Sequence, residues 1–201
     1  SMIDGANRGS PALERLTALK NKQFGNSAKF TIPSESKALA LELKEVSFGF
    51  TPNSSVLAQV SFSVLPGQKI ALVGPSGAGK TTCFELATGF RLPDSGSISL
   101  GGLSPRDVLD HGQGQIGIVP QRPHLVTGTL VENVTLADHV EADRQRVSKV
   151  LKIAGLASFS GGERLSMQVS PDAGQFSGGE IQRLGLARAL YRKPGILFLD
   201  E

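Results

Sequence analysis

A glycine-rich segment that contains one lysine carries the clearest chemical pattern in the sequence. It fits the pattern G-x-x-x-x-G-K-S/T at every position, with the residues Gly74, Pro75, Ser76, Gly77, Ala78, Gly79, Lys80 and Thr81. Glycines let the backbone bend so that successive N–H groups point at phosphate oxygens, and a helix that begins near Lys80 adds the partial positive charge of its N-terminus. We expect Lys80 to reach the β- and γ-phosphates of a nucleotide, Thr81 to ligate Mg²⁺ and Thr82 to bond the α-phosphate.

Two adjacent carboxylates, Asp200 and Glu201, follow the apolar run at residues 196–199. If the run is a strand, its carboxyl end is where open α/β sheets bind ligands, so Asp200 can hold Mg²⁺ through the water shell of the ion. Glu201 points in a different direction and can polarise an attacking water. An ordinary polar strand end is the alternative interpretation of this pair.

The start of a predicted helix at Ser177 offers a second place for an anion. Serine is a good N-cap, and Gly178 and Gly179 leave the backbone N–H groups bare, so this end can bind phosphate without a basic side chain. The same five residue types, Phe-Ser-Gly-Gly-Glu, occur at Phe159–Glu163 and at Phe176–Glu180. Only the second copy is followed by a helical pattern, a turn and a strand. We therefore expect the first copy to be a loop without chemistry.

The elements that must position these residues alternate between strands and helices. Apolar stretches predict strands at residues 41–46, 56–65, 69–73, 97–100, 116–119 and 196–199. Helical patterns occupy residues 80–89, 129–137, 141–154 and 178–192. This order predicts an α/β architecture with an antiparallel patch at its front. The mixed composition of residues 1–37 predicts a frayed helix followed by a linker.

Length and composition exclude several classes of protein. With 201 residues, 39% of them hydrophobic and 19% charged, the chain fits one globular domain, or two at most. No apolar run approaches the ~18 residues that a membrane-spanning helix needs. A single cysteine, Cys83, excludes an internal disulfide framework. The net charge of +3 permits an acidic ligand such as a nucleotide but does not indicate DNA binding.

Four further segments, in the right order, make the chain resemble the nucleotide-binding domain of ATP-binding cassette (ABC) transporters. They are Phe48–Phe50, Val119–Gln121, Ser177–Leu190 and Ile196–Glu201. In the family they correspond to the adenine-stacking aromatic, the Q-loop, the signature motif with its helix, and the Walker B strand. The resemblance covers about residues 39–201. It implies a P-loop NTPase (RecA-like) parallel-sheet core with an antiparallel β subdomain, in a domain at residues 38–201. It also implies a small helical subdomain at about residues 122–177.

The resemblance also implies roles for single residues. Phe50 would stack on adenine, and Val56 would line the same pocket. Gln121 would sense the γ-phosphate, as a ligand of Mg²⁺ or through water, and would belong with Lys80 and Glu201 to the catalytic group. The helix start at Ser177, Gly178 and Gly179 would bind the γ-phosphate of ATP held by the opposite subunit, because two nucleotide-binding domains form an ATP sandwich. Here Phe176 and Glu180 stand where Leu and Gln are usual.

The kind of cassette protein is indicated by the region after the Q-loop. The stretch between Gln121 and Ser177 is too short for the coiled-coil arms of chromosome-maintenance ATPases, so we expect no nucleic-acid partner. Residues Gly128–Asn133 resemble the exporter-type pattern Gly-Thr-x-x-Glu-Asn. We therefore expect an ATPase that powers export, with transmembrane domains as partners, on the cytoplasmic face of the cell (inner) membrane. Residues 1–37 would be the junction to those domains.

Two other functions remain open at this point. One is a soluble ABC ATPase that remodels a ribosome or a repair complex. The other is a regulatory half of a heterodimer with weak hydrolysis, against which the carboxylate of Glu201 argues.

The family's sheet continues beyond the Walker B strand, and the resemblance implies that the C-terminal part of the core is missing here. In the family, a further strand lies between the strands that correspond to residues 69–73 and 196–199. We therefore expect the sheet to be gapped, or completed by an element from another chain, because unpaired backbone groups are costly when buried. We also expect little or no hydrolysis by the 201 residues alone, because the family's switch histidine lies in the missing part.

Overall fold

The computed structural model describes residues 38–51, 54–112, 115–136, 143–171 and 174–200. The predicted junction at residues 1–37 and the predicted catalytic residue Glu201 lie outside the described residues. The elements in chain order are β1 (Leu41–Thr51), β2 (Ser54–Val64), α1 (Lys80–Ala87), β3 (Ser95–Leu100), α2 (Pro105–His111), β4 (Ile116–Val119), β5 (Gly128–Thr129), α3 (Leu130–Thr135), α4 (Arg144–Ile153), 3₁₀ turns at Ala157–Phe159 and Arg164–Ser166, β6 (Gln168–Val169), α5 (Gly178–Tyr191) and β7 (Ile196–Leu199). Among these helices, none is both long and apolar enough to cross a membrane.

The predicted antiparallel patch is confirmed as a three-stranded sheet in the order β2-β1-β3. The side chains of Leu41 and Leu43 in β1 are both buried, as the period of two in the sequence predicts. Leu41 lies opposite Val64 of β2 and opposite Leu100 of β3. Helix α1 contributes buried side chains, among them Leu86, to the same apolar core. The sheet and α1 therefore share one core.

Two parallel strands, β4 and β7, form a separate sheet. Their register pairs Val119 with Leu199, so both strands end at the same edge. The N–H of Asp200 continues the ladder by donating to the carbonyl oxygen of Val119, with 3.0 Å between nitrogen and oxygen. The ring of Phe198 packs edge-on against Phe84 of α1, with 5.6 Å between the ring centroids. Helix α1 therefore lies against the strand that leads to Asp200.

The region predicted to be a helical subdomain contains α3, α4 and two 3₁₀ turns, which pack with α5 around a second apolar core. Leu130 of α3, Leu151 of α4 and Leu184 of α5 are all fully buried there. Helix α3 begins with a capping box, in which the side chains and N–H groups of Thr129 and Glu132 bond reciprocally. The exporter-type pattern at Gly128–Asn133 thus has a local role as a helix start.

The prediction of a buried strand at residues 69–73 is wrong. These residues form no strand in the described part of the chain, and the side chains of Ile70, Leu72 and Val73 are exposed by 47%, 46% and 88%. An apolar run becomes a strand only where neighbouring strands bond to its N–H and C=O groups. Within the described residues, the parallel sheet consists of β4 and β7 alone.

Candidate nucleotide-binding site

The phosphate loop joins the exposed segment at residues 69–73 to α1. Two of its glycines, Gly77 (φ 82°) and Gly79 (φ 81°), have the left-handed backbone that only glycine adopts without strain. Gly79 is the N-cap of α1, so the helix begins at Lys80 as the sequence predicts. The ammonium group of Lys80 donates hydrogen bonds to the carbonyl oxygens of Gly74 (2.8 Å) and Pro75 (2.9 Å). In this structure the ammonium group is therefore bonded to the first two residues of the loop.

The loop touches the antiparallel sheet at Gly79. A Cβ atom at this position would lie 2.9 Å from Cδ2 of Leu57 and 3.2 Å from Cγ1 of Val56. Both distances are too short for ordinary contact, so this glycine is needed for close approach as well as for its φ angle. The structure places Val56 beside the phosphate loop, and its role as part of an adenine pocket stays a prediction.

The first turn of α1 presents its two threonines differently. Thr81 is exposed, whereas Thr82 is buried with 6% of its surface accessible. The Thr81 hydroxyl is thus accessible to an ion or a water, while the predicted bond from Thr82 to the α-phosphate stays a prediction. Cys83 follows in the core, and burial raises the pKa of its thiol. This thiol is therefore neutral at pH 7 and packs as an apolar side chain.

The ends of β4 and β7 bring Gln121 and Asp200 to one edge. Gln121 follows Val119 by two residues, and Asp200 bonds to the carbonyl oxygen of Val119 through its N–H. Asp200 is half-buried and Gln121 is exposed. Since parallel strands end together at this edge, the carboxylate and the amide can face a common ligand. The position of Glu201 lies outside the described residues.

Phe50 lies on the antiparallel sheet and is 58% exposed. Its ring and that of Phe48 meet edge to face, with 5.3 Å between centroids, so strand parity places both on one face as expected. They line a cavity of ≈ 330 Å³ whose other walls are Ser47, Gly49, Thr51, Ser54, Ser55 and Asp94. The exposure of Phe50 excludes a role as a core residue and leaves part of its ring accessible for stacking.

Sequence reasoning missed two residues here, one that lies against the phenylalanine rings and one that lines the cavity. The guanidinium carbon of Arg91 lies 5.0 Å from the ring centroid of Phe50, and the side chain of Arg91 also pairs with Glu85. The carboxylate of Asp94 accepts a hydrogen bond of 2.8 Å from the N–H of Gly49. Both residues are in the loop between α1 and β3, far along the chain from Phe50. No local pattern in the sequence indicates such contacts.

The signature segment begins α5 with a capping box. The hydroxyl oxygen of Ser177 accepts from the N–H of Glu180 (3.3 Å), and the carboxylate of Glu180 accepts from the N–H of Ser177 (2.8 Å). The bond from the N–H of Ser177 to this carboxylate, together with one from the Ser177 hydroxyl (2.8 Å), lowers the pKa of Glu180. A Cβ atom at Gly178 would meet no atom within 4 Å, so the backbone is open to a ligand there. The glutamate that replaces the usual glutamine thus bonds to its own helix start.

The first copy of the repeated pentapeptide is a loop, as predicted. Phe159 ends a 3₁₀ turn, and the buried hydroxyl of Ser160 donates to the carbonyl oxygen of Ala157 at 2.7 Å. No helix begins at this serine. The ring of Phe159 packs against Phe176 of the second copy, with 5.1 Å between centroids. The first copy therefore supports the loop before the signature helix through its phenylalanine.

Comparisons with known proteins agree with this geometry. Residues 57–201 match the protein family described as ABC transporter. The chain is 36% identical to ABC transporter B family member 29, chloroplastic, of Arabidopsis thaliana, over 96% of this chain and 32% of that protein. It is 33% identical to the lactococcin-A transport/processing ATP-binding protein LcnC of Lactococcus lactis subsp. lactis, over 80% of this chain and 23% of that protein.

Among solved structures, a bacterial Atm1-family ABC exporter with ATP bound is similar to this chain, with a TM-score of 0.71 and 29% identity. The match covers 94% of this chain and 34% of the exporter chain. The chain thus spans about a third or less of the length of these relatives. The family match covers well over half of the chain and includes the phosphate loop, the signature helix and Asp200. The chain therefore belongs to the ABC transporter family, and residues 57–201 are part of its ATP-binding, ATPase domain.

Proposed function

We propose that this chain is the ATP-hydrolysing domain of an exporter, attached to transmembrane domains at the cytoplasmic face of the cell membrane. The observation that carries the proposal is the phosphate loop, in which left-handed Gly79 starts α1 and Lys80 lies across the loop carbonyls. Support also comes from the similarity to a solved ABC exporter with ATP bound and to a transport/processing ATP-binding protein.

Nucleotide binding would begin at the phosphate loop. The phosphates of ATP compete with the carbonyl oxygens of Gly74 and Pro75 for the ammonium group of Lys80, because a doubly charged phosphate is the stronger acceptor. The N–H groups at the start of α1 complete the anion site. Phe50 offers an exposed aromatic face for the nucleobase, and Val56 supports the loop from the sheet. The side chains of Lys80 and Phe50 would thus contact different parts of one ATP molecule.

The chain also has suitable ligands for Mg²⁺. The described residues contain no cluster of three His, Cys, Asp or Glu side chains that could hold a metal ion by themselves. Mg²⁺ does not need one, because it is usually bound through one or two carboxylates together with substrate phosphates. Asp200, the exposed hydroxyl of Thr81 and the amide oxygen of Gln121 are oxygen donors of the right kind. The bound ion would neutralise part of the charge on the phosphates.

Hydrolysis needs a water activated next to the γ-phosphate. Glu201 follows Asp200 directly, so its carboxylate is the group we assign to polarise that water. Gln121 would hold the water or the ion from the neighbouring strand end, and Lys80 would stabilise the charge on the γ-phosphate. These three residues follow β7, follow β4 and begin α1, respectively.

The second phosphate contact would come from another subunit. The N-terminus of α5, with Ser177, Gly178 and Gly179, exposes open backbone for an anion. In the proposed dimer, this end binds the γ-phosphate of ATP held by the opposite chain, so that two ATP molecules are sandwiched. Binding of ATP would then close the dimer and hydrolysis would open it.

Substitution of Lys80 tests the nucleotide site. In the complete polypeptide, Lys80→Ala should weaken binding of a fluorescent ATP analogue about 10- to 100-fold, because a charge-assisted bond to phosphate contributes about 1.5–3 kcal/mol. Lys69→Ala, at an exposed lysine in the segment just before the loop, is the matched control and should bind normally. Equal dissociation constants for the two variants would refute the assignment of the loop.

A second experiment tests turnover and location. Glu201→Gln should bind ATP, lose hydrolysis and show an ATP-dependent dimer by light scattering. The wild-type protein should be found with membranes after cell fractionation. Co-sedimentation of the wild type with ribosomes instead would favour the remodelling ATPase. A monomeric Glu201→Gln variant at saturating ATP would contradict the ATP-sandwich dimer.

A further inference from the structure

Arg188, in the last turn of α5, is a half-buried cation bonded to uncharged acceptors. Its Nε donates to the carbonyl oxygen of Asn133 (2.5 Å), its Nη2 donates to the side-chain Oδ1 of Asn133 (2.9 Å), and its Nη1 donates to the carbonyl oxygen of His124. Burial lowers the pKa of Arg188 to about 10, so it remains charged at neutral pH. A single side chain thus joins the signature helix to two other segments.

Asn133 extends this contact to the backbone that follows the Q-loop. It is fully buried, with 0% of its surface accessible. Its Oδ1 accepts from the N–H of Val126 (3.0 Å), and its Nδ2 donates to the carbonyl oxygens of Val126 (2.8 Å) and Thr129 (3.1 Å). Arg188 and Asn133 therefore fix the path of the chain from His124 to the start of α3.

Gly185, one turn before Arg188, brings the helix backbone against the Q-loop itself. A Cβ atom at Gly185 would lie 2.5 Å from Cγ of Pro123 and 3.4 Å from Cγ1 of Val119. Pro123 is buried and follows Gln121 by two residues, whereas Val119 precedes it by two. The helix thus contacts the chain on both sides of Gln121, and it does so at a position where a side chain does not fit.

We propose that Gly185 and Arg188 are positioning residues that bind the Q-loop to the signature helix, so that Gln121 and the N-terminus of α5 move as one body. This inference rests on the proposed function, which assigns Gln121 to the chain's own γ-phosphate and Ser177 to that of the opposite chain. Ser177 at the N-terminus of α5 and Gly185 at the contact with the Q-loop lie about 12 Å apart along the helix axis, at 1.5 Å per residue. ATP seated on the α5 N-terminus by the opposite subunit therefore sets the position of Gln121.

The test compares substitutions at these contacts in the complete transporter. Arg188→Lys keeps the charge but cannot reach three acceptors in two directions, and Gly185→Ala forces the helix away from Pro123. The matched controls are Gln182→Ala, at an exposed position of the same helix, and Gly161→Ala, where a Cβ atom meets no atom within 4 Å. All variants are assayed well below their melting temperatures.

Both test variants should lower kcat about tenfold or more, because small displacements of a catalytic group are costly. The dissociation constant for ATP should change less than twofold, because the phosphate loop is untouched. The controls should keep the wild-type kcat. A purely structural role would lower the melting temperature and leave kcat per folded molecule unchanged. That result would overturn the inference.

A double-mutant cycle with Gln121→Ala shows whether the contacts act through Gln121. In the Gln121→Ala background, Arg188→Lys should change kcat less than twofold, since the group that it positions is gone. Independent losses that multiply would overturn the inference and leave the proposed function intact. Absence of ATP hydrolysis in the wild-type transporter would instead refute the proposed function, and the inference with it.

Discussion

A methyl group at Gly79 tests the contact between the phosphate loop and the antiparallel sheet. Gly79→Ala places a side chain on a left-handed backbone (φ 81°) and brings its Cβ to 2.9 Å from Leu57 and 3.2 Å from the carbonyl oxygen of Val56. The backbone strain costs about 1–2 kcal/mol. The overlap adds about 1–2 kcal/mol, since the leucine end can shift but the backbone oxygen cannot. We expect the free energy of unfolding to fall by about 3 kcal/mol.

The matched control separates these two contributions. Gly77→Ala, in the same loop, has nearly the same backbone angle (φ 82°), but a Cβ atom there meets nothing within 4 Å. At about 3 °C per kcal/mol for a domain of this size, the melting temperature should fall by about 9 °C for Gly79→Ala and by about 4–5 °C for Gly77→Ala. Thermal unfolding followed by circular dichroism measures both. Equal decreases would refute the contact with Leu57 and Val56.

Three further predictions follow from other contacts. Arg91→Gln uncovers the ring of Phe50, so ATP should bind about two- to fivefold more tightly in a fluorescence titration, because an exposed cation–π contact contributes about 0.5–1 kcal/mol. No gain, or a gain that persists in a Phe50→Ala background, would contradict stacking on this ring. The lowered pKa of Glu180 means that its contribution to stability is present above the carboxyl's usual pKa and is lost as the pH falls through the lowered value. Glu180→Gln should therefore lose less stability on acidification than the wild type, as measured by melting temperature against pH. Parallel curves for the two proteins would argue against the capping bond. Asn133→Ala removes the Oδ1 that accepts from Nη2 of Arg188 and from the N–H of Val126. The free energy of unfolding in urea should therefore fall by about 2–4 kcal/mol, whereas Thr129→Ala at the helix cap should cost about 1 kcal/mol. Similar losses would mean that the hydrogen bonds of the Asn133 side chain contribute little.

Local patterns in the sequence predicted the starts of α1 and α5 well. The phosphate loop and the start of α1 at Lys80 depend on glycines and on the first turn of one helix, which are short-range features. The N-cap at Ser177 is of the same kind, since its bonds reach only to Glu180. The choice between the two pentapeptide copies could be made because a helical pattern follows only the second.

Contacts between distant parts of the chain were not predictable from the sequence. The apolar run at residues 69–73 has the composition of a buried strand, but a strand depends on partners elsewhere in the chain. Arg91 meets Phe50, and Arg188 meets Asn133, across long stretches of sequence. Neither arginine is part of a periodic pattern that indicates a buried or stacked guanidinium. Such side chains are found only when the packing of the elements is known.

The exposed run at Ile70, Leu72 and Val73 has a consequence for how the isolated chain behaves in solution. Apolar residues with open backbone groups and high β-propensity are the segments through which polypeptides assemble edge to edge. Lys69, just before the run, is the kind of flanking charge that limits such assembly. Solubility of the isolated chain should therefore fall as salt screens this charge, and the aggregates should bind dyes specific for cross-β structure.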